Sequence, residues 1–169
     1  QRASGAKMVA SAADKPILEA GQISFGPSSG IRFPKIRVDR TVGQGDTVSL
    51  GGVTLTAHMT PGHSPGCTSW SMNVNAARGA QHTTFFHCSA TVAGQSLFPE
   101  AYPGMVADFR ATFKKIEAVR ADILLANHSD FFDMKAKRER QKAGEANAFV
   151  DAGELQRFNA ELKEAFEAE

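Results

Sequence analysis

The chain has 169 residues, 42% of them hydrophobic and 22% charged, enough for one globular domain with a sizeable core and too few for two ordinary ones. Nineteen basic against eighteen acidic residues leave a net charge of +1, which gives no general attraction to nucleic acid or to an anionic membrane surface. No apolar run approaches the roughly 18 residues of a transmembrane candidate, and two cysteines with five histidines fit neither a disulfide scaffold nor a zinc-finger framework, so a metal site would rest on histidines and carboxylates.

Lys7 to Ala10 is a short apolar run, and Ser11 to Asp14 can cap a brief helix through Glu19 that Gly21 ends. From Gln22 to Pro34 the composition turns to Gly, Pro and Ser interrupted by Ile23, Phe25, Ile31 and Phe33, which predicts a surface loop with exposed apolar side chains over a site. Arg37 to Val42 and Asp46 to Leu50 read as strands of a meander, and Gly51-Gly52 as the hairpin turn into a strand over Val53 to His58. In that strand Val53, Leu55 and Ala57 alternate with Thr54, Thr56 and His58, the period of a half-buried strand. Met59 to Gly66, with two prolines and two glycines, can continue neither ladder nor helix and must be a shaped loop with His63 at its centre.

Thr68 to Val74 and His82 to Cys88 form the next hairpin, around a loop of about Asn75 to Gln81. A register that sets Trp70 opposite Phe85 gives an aromatic cross-strand pair. It also sets Cys67 opposite Cys88, at a Cα separation of about 4.5–5.5 Å that lies within the disulfide window. Beyond Pro103 a helix follows from the spacing of Val106, Phe109, Phe113 and Ile116; Asp122 to Ala126 is a short buried strand, and Asn127-His128-Ser129-Asp130 follows it directly. Helices around Asp133 to Ala143 and Gly153 to Glu167 carry dense mixed-sign charges that read as a solvated face.

His63 and His128 each sit directly after a strand, where a rigid scaffold can place a ligand accurately. His58, His82 and His87 lack such placement and read as structural. The run from His58 through Met59-Thr60-Pro61-Gly62-His63-Ser64-Pro65-Gly66 to Trp70 resembles the third zinc-ligand motif of the metallo-β-lactamase superfamily, most closely in the third subclass of class B β-lactamases. Val38 to Val42, Gly45-Asp46, Gly51-Gly52, Cys88 to Ala93, Tyr102 to Phe113 and Asp122 to His128 resemble the same subclass in the same order. The resemblance implies an α/β fold, the metallo-β-lactamase αββα sandwich, of which residues 1–169 form the C-terminal part of a single domain.

The resemblance also assigns residues. His63 matches the ligand to a first zinc and His128 the ligand to a second. Ser89 and Thr91 match positions that hold the substrate carboxylate, while Phe25 and Ile31 match hydrophobic contacts on a loop flanking the groove. Glyoxalases and lactonases place a metal-bridging aspartate where this chain reads Cys88-Ser89, so a β-lactamase is favoured over a lactone or thioester hydrolase. A one-residue slip would instead make Cys88 a thiolate ligand, and that alternative stays open. Two zinc ions would acidify a water and polarise the lactam carbonyl without an acyl-enzyme, acting on penicillins, cephalosporins and carbapenems in the periplasm or outside the cell.

The family's His-x-His-x-Asp-His motif is not in this sequence, and Gln1 to Lys7 resembles the segment that follows it. The expectation is a chain cut just downstream of that motif, completed by a missing N-terminal segment or a second chain. Taken alone it would be inactive, an inert half-domain, because zinc sites need three or four protein ligands.

Overall fold

The computed structural model describes residues 1, 3–76 and 79–169. Strands β1 (Val9–Ser11) and β2 (Arg40–Val42) form a two-stranded parallel sheet with helix α1 (Lys15–Ala20) between them in sequence. Strands β3 (Thr47–Leu50), β4 (Val53–Met59), β5 (Thr68–Asn75), β6 (Gln81–His87) and β7 (Ile123–Ala126) form a second sheet in sequence order. Helix α2 (Met105–Glu117) crosses over between β6 and β7, a 3-10 turn (Ser129–Phe132) follows β7, and α3 (Met134–Lys142) and α4 (Glu154–Glu167) close the chain.

The register fixes which side chains share a face, because strand side chains alternate. Ala57, Trp70, Phe86 and Leu125 are successive partners across β4 to β7. They therefore share a face with Leu55, Met72, Val74 and Ile123. The opposite face carries Thr56, His58, Ser71, Phe85, His87 and Leu124, and there Phe85 and Leu124 pack with Ile116 of α2, Leu155 of α4 and Phe132 in one buried cluster. A second cluster joins Phe109 and Phe113 of α2 to Phe166 of α4 and to Ala90 and Val92 beyond β6.

One sheet face is thus covered by helices. On the other, the large apolar side chains of β4 to β7 are only partly buried, and Val53 is 44% exposed. The five-stranded sheet and its helices thus form one α/β layer pair, with β1 and β2 in a separate sheet.

Several expectations are corrected. β2 is shorter than Arg37 to Val42 and pairs with β1, so the meander begins at β3. The Gly43 to Gly45 turn, where the Asp46 carboxylate accepts the Gly43 N–H at 2.8 Å, separates β2 from it. Trp70 pairs with Phe86, one residue away from the expected Phe85. A one-residue slip changes the face of every side chain, and Phe85 belongs with the helices. The polar side of β4 is the side the helices cover: His58 Nε2 lies 2.8 Å from Ser71 Oγ and its ring lies against Phe85. Of the charges on α3, Lys137 is buried, paired with Glu154 and placed over the rings of Phe132 and Phe149. The 75–81 loop lies partly outside the described residues.

The two-residue turn has positive φ at both Gly51 (58°) and Gly52 (80°), as a tight hairpin requires. Among the described residues, no helix is long and apolar enough to cross a membrane.

Candidate metal-binding site

β4 and β6 run parallel, since each is antiparallel to β5, and β7 is parallel to β6. The C-terminal ends of all three strands therefore lie at one edge of the sheet. His63 follows β4, Ser89 and Thr91 follow β6, and His128 follows β7. Every site residue expected from these loops reaches the same edge.

The loop after β4 is fixed atom by atom. Three successive carbonyls accept side-chain hydrogen bonds: Pro61 from Thr112 at 2.7 Å, Gly62 from Tyr102 at 3.1 Å and His63 from Gln95 at 3.0 Å. Asp14 accepts the Ser64 hydroxyl at 3.1 Å and the Gly66 N–H at 3.0 Å. Asp14 stands at the N-terminus of α1 but does not cap it; its carboxylate is diverted to this loop, and the Ser11 hydroxyl accepts the Asp14 N–H instead. Burial raises the Asp14 pKa, against the lowering effect of the Ser64 and Gly66 hydrogen bonds and of nearby His63.

Two glycines are sterically required. A Cβ on Gly62, whose φ is 137°, would lie 2.7 Å from the Phe109 ring, and one on Gly66 would lie 2.0 Å from Ser11 Oγ.

His63 Nδ1 lies 2.8 Å from the Thr91 carbonyl. A carbonyl only accepts, so Nδ1 carries a proton, and in the neutral ring the lone pair is on Nε2. This is the orientation a metal-ligating imidazole adopts when its other nitrogen is tied to the protein. His128 is exposed, its ring edge-on to Phe131 with centroids 5.1 Å apart. Both imidazoles suit zinc as donors, although among the described residues no three His, Cys, Asp or Glu side chains converge on a common point.

Ser89 is only 3% exposed, and its hydroxyl lies 3.2 Å from Thr91 Oγ1. Thr91 is the outer member of this pair. A cavity of about 310 Å³ is lined by His63 and Ser64 together with Ile23, Phe25 and Phe33 of the 22–34 segment. Phe25 lines this cavity. Ile31 is 55% exposed and lies outside that lining, paired through its backbone carbonyl with the Ile23 N–H. The segment is a small irregular hairpin closed by the Gln22–Arg32 bridge.

Cys67 and Cys88 are disulfide-bonded, with Cα atoms 5.9 Å apart, so Cys88 has no thiolate to offer a metal. The bond closes just beyond the ends of β5 and β6, where Cys88 N–H turns to Ser69 Oγ at 3.0 Å. It therefore tolerates the register shift. His58 is held by Ser71; burial, with a smaller effect of Lys115, lowers its pKa. His82 stands 3.9 Å from Asp122. His87 is buried between Phe85 and Phe158.

Nothing in the sequence marks Asp14, Gln95 or Tyr102 as site residues. Asp14 looked like an ordinary helix cap, and nothing local marks Gln95 or Tyr102 as partners of a loop 32 and 40 residues upstream.

No family profile matches the chain. Among solved structures it is similar to BJP-1, a subclass B3 metallo-β-lactamase of Bradyrhizobium japonicum, at 43% identity and a TM-score of 0.88, covering 99% of this chain and 64% of that one. A metallo-β-lactamase of Cronobacter sakazakii with a HARLDQ motif matches at 38% identity and 0.89, covering 98% and 63%. FEZ-1 from Legionella gormanii matches at 31% and 0.91, covering 99% and 65%. The chain spans less than two thirds of the length of these structures and corresponds to the C-terminal part of their fold. With the sheet order, the His63 loop and these identities in agreement, the chain belongs to the metallo-β-lactamase family, within its subclass B3.

Proposed function

We propose that this chain supplies one wall of a di-zinc site that opens the lactam ring of penicillins, cephalosporins and carbapenems. His63 holds one zinc through Nε2 and His128 holds the other. The observation that carries this reading is the fixed His63 ring: its Nδ1–H is tied to the Thr91 carbonyl, which leaves Nε2 as the donor at the sheet edge that His128 shares. Zinc, when bound, supplies Lewis acidity toward the lactam carbonyl and a water acidic enough to react near neutral pH.

The chain's own residues bind and orient. Thr91, with Ser89 hydrogen-bonded behind it, holds the substrate carboxylate, and Phe25 with its neighbours in the cavity wall excludes water from the apolar side of the substrate. The remaining zinc ligands come from a His-x-His-x-Asp-His segment outside this sequence. One imidazole per ion assembles neither centre, which supports a second reading for the chain by itself, an inert half-domain awaiting its complement. The Cys67–Cys88 bond supports an oxidising compartment, the periplasm or the exterior.

The test joins an upstream segment bearing that motif to this chain and measures zinc content and nitrocefin hydrolysis. Two zinc ions per molecule and chelator-sensitive turnover are expected, with His63→Ala and His128→Ala each losing one ion. Full zinc content in both variants would overturn the assignment, and so would hydrolysis by the chain without the segment.

A further inference from the structure

Two consecutive residues of the 22–34 segment touch two of the side chains that hold consecutive carbonyls of the His63 loop. Phe25 packs edge-on against Tyr102, with centroids 5.5 Å apart and planes at 75°, and the Tyr102 hydroxyl lies 3.1 Å from the Gly62 carbonyl. Gly26 lies over Gln95, close enough that a Cβ there would stand 3.0 Å from Gln95 Oε1, and Gln95 Nε2 donates to the His63 carbonyl at 3.0 Å. Gln95 is 8% exposed, and its Oε1 has no hydrogen-bond partner among the described residues. A buried acceptor left unpaired is unfavourable, so the amide is held by its Nε2 contact on one side and by Gly26 packed over it on the other. The Tyr102 hydroxyl is likewise shared, also lying 3.1 Å from Asp108 Oδ2, and burial and that carboxylate raise its pKa and keep it protonated.

We propose that Tyr102 and Gln95 are positioning residues that transmit the placement of the 22–34 segment to the backbone of His63. Tyr102 acts through its ring on one side and its hydroxyl on the other, and Gln95 through the two atoms of its amide. A substrate that presses on Phe25 therefore shifts the Gly62 and His63 backbone through carbonyls held from behind by Tyr102 and Gln95. The consequence for a metal rests on the proposed function, in which His63 is a zinc ligand; the mechanical coupling does not.

Amide hydrogen exchange on the chain tests the coupling without metal. The Gly62 N–H donates to the Ser64 carbonyl at 3.1 Å and, among the described residues, is hydrogen-bonded to neither Phe25 nor Gly26, so it serves as the reporter. Phe25→Ala is expected to speed exchange at Gly62 at least ten-fold while leaving the central-strand amides of Trp70 and Met72 unchanged. Gly26→Ala, which acts on the Gln95 arm, is expected to do the same, and the exposed Ser29→Ala control nothing. On a Tyr102→Phe background, which keeps the ring and removes the hydroxyl, Phe25→Ala should add less than two-fold. Unchanged Gly62 exchange in both variants would overturn the coupling. An undiminished Phe25→Ala effect on the Tyr102→Phe background would do so too, as would a rise at Trp70 matching that at Gly62. Zinc content of the completed enzyme, measured separately, bears on the proposed function alone.

Discussion

His87 should make the protein acid-sensitive in a defined pH window. Its ring is 3% exposed between Phe85 and Phe158, with centroid distances of 6.2 and 5.5 Å, and Nε2 has no hydrogen-bond partner among the described residues. Burial drives its pKa from the ordinary 6.5 down to about 4. The unfolded chain therefore binds a proton as pH falls below 6.5 while the native ring stays neutral until about 4. At about 1.4 kcal/mol per tenfold, native stability present above pH 6.5 is lost by about 3 kcal/mol across that interval. His87→Phe keeps an aromatic ring in the same box and removes both the proton site and the orphaned nitrogen. Urea unfolding followed by Trp70 fluorescence at pH 7.5 and pH 4 should show the parent losing about 3 kcal/mol more than the variant. Carboxylates with lowered pKa, such as Asp39, where the Met8 N–H contributes most, and Glu100, where the Val106 N–H does, are common to both proteins and cancel in the difference. Parallel pH profiles would refute the reasoning.

Reduction of Cys67–Cys88, or the double alanine variant, should lower stability by about 3 kcal/mol, the loop-closure value for a 21-residue separation, as read by denaturant midpoint. Thiol titration of the denatured, unreduced protein should find no free thiol. Asp14→Ala strands the Ser64 hydroxyl and the Gly66 N–H and should cost about 2 kcal/mol by the same assay; an unchanged midpoint would remove Asp14 from the loop's support. The partly buried face of β4 to β7 should drive concentration-dependent self-association of the chain, visible in sedimentation velocity and reduced by Phe86→Lys, whereas a strictly monomeric parent would contradict an open apolar face.

What the sequence reveals depends on how local the cause is. The Gly51-Gly52 turn, the alternation in β4 and the Pro- and Gly-shaped loop around His63 are local, and each forms where its residues predict. The β5–β6 register was not legible, because Phe85 and Phe86 offer Trp70 the same aromatic partner in either alignment. Burial of Phe85 against Ile116 and Leu124 decides between them, and those residues lie more than 30 positions away. Thr54, Thr56 and His58 looked solvent-facing because polarity usually marks the outside of a strand. In a sandwich both faces of the sheet are internal, and here the more apolar face turns away from the helices. Gln95, Tyr102 and Asp14 carry no sequence signal for the same reason as the register: their partners on the His63 loop are far off in sequence.

The distances along the chain spanned by the His63 loop's supports have a kinetic consequence. Its ties to Gln95, Tyr102, Asp14 and Thr112 close segments of 32, 40, 50 and 51 residues. By contrast, β3, β4, β5 and β6 pair with their immediate neighbours in sequence. Local pairings form early and long closures late, since the chain must surrender entropy before such contacts reward it. The meander is therefore expected to assemble first, with the His63 loop acquiring its shape only after β1, α1 and α2 have docked around it. On that order its geometry is an end product of folding, and a defect introduced as far away as Ser11 or Thr112 is expected to be felt at His63 while the sheet itself remains intact.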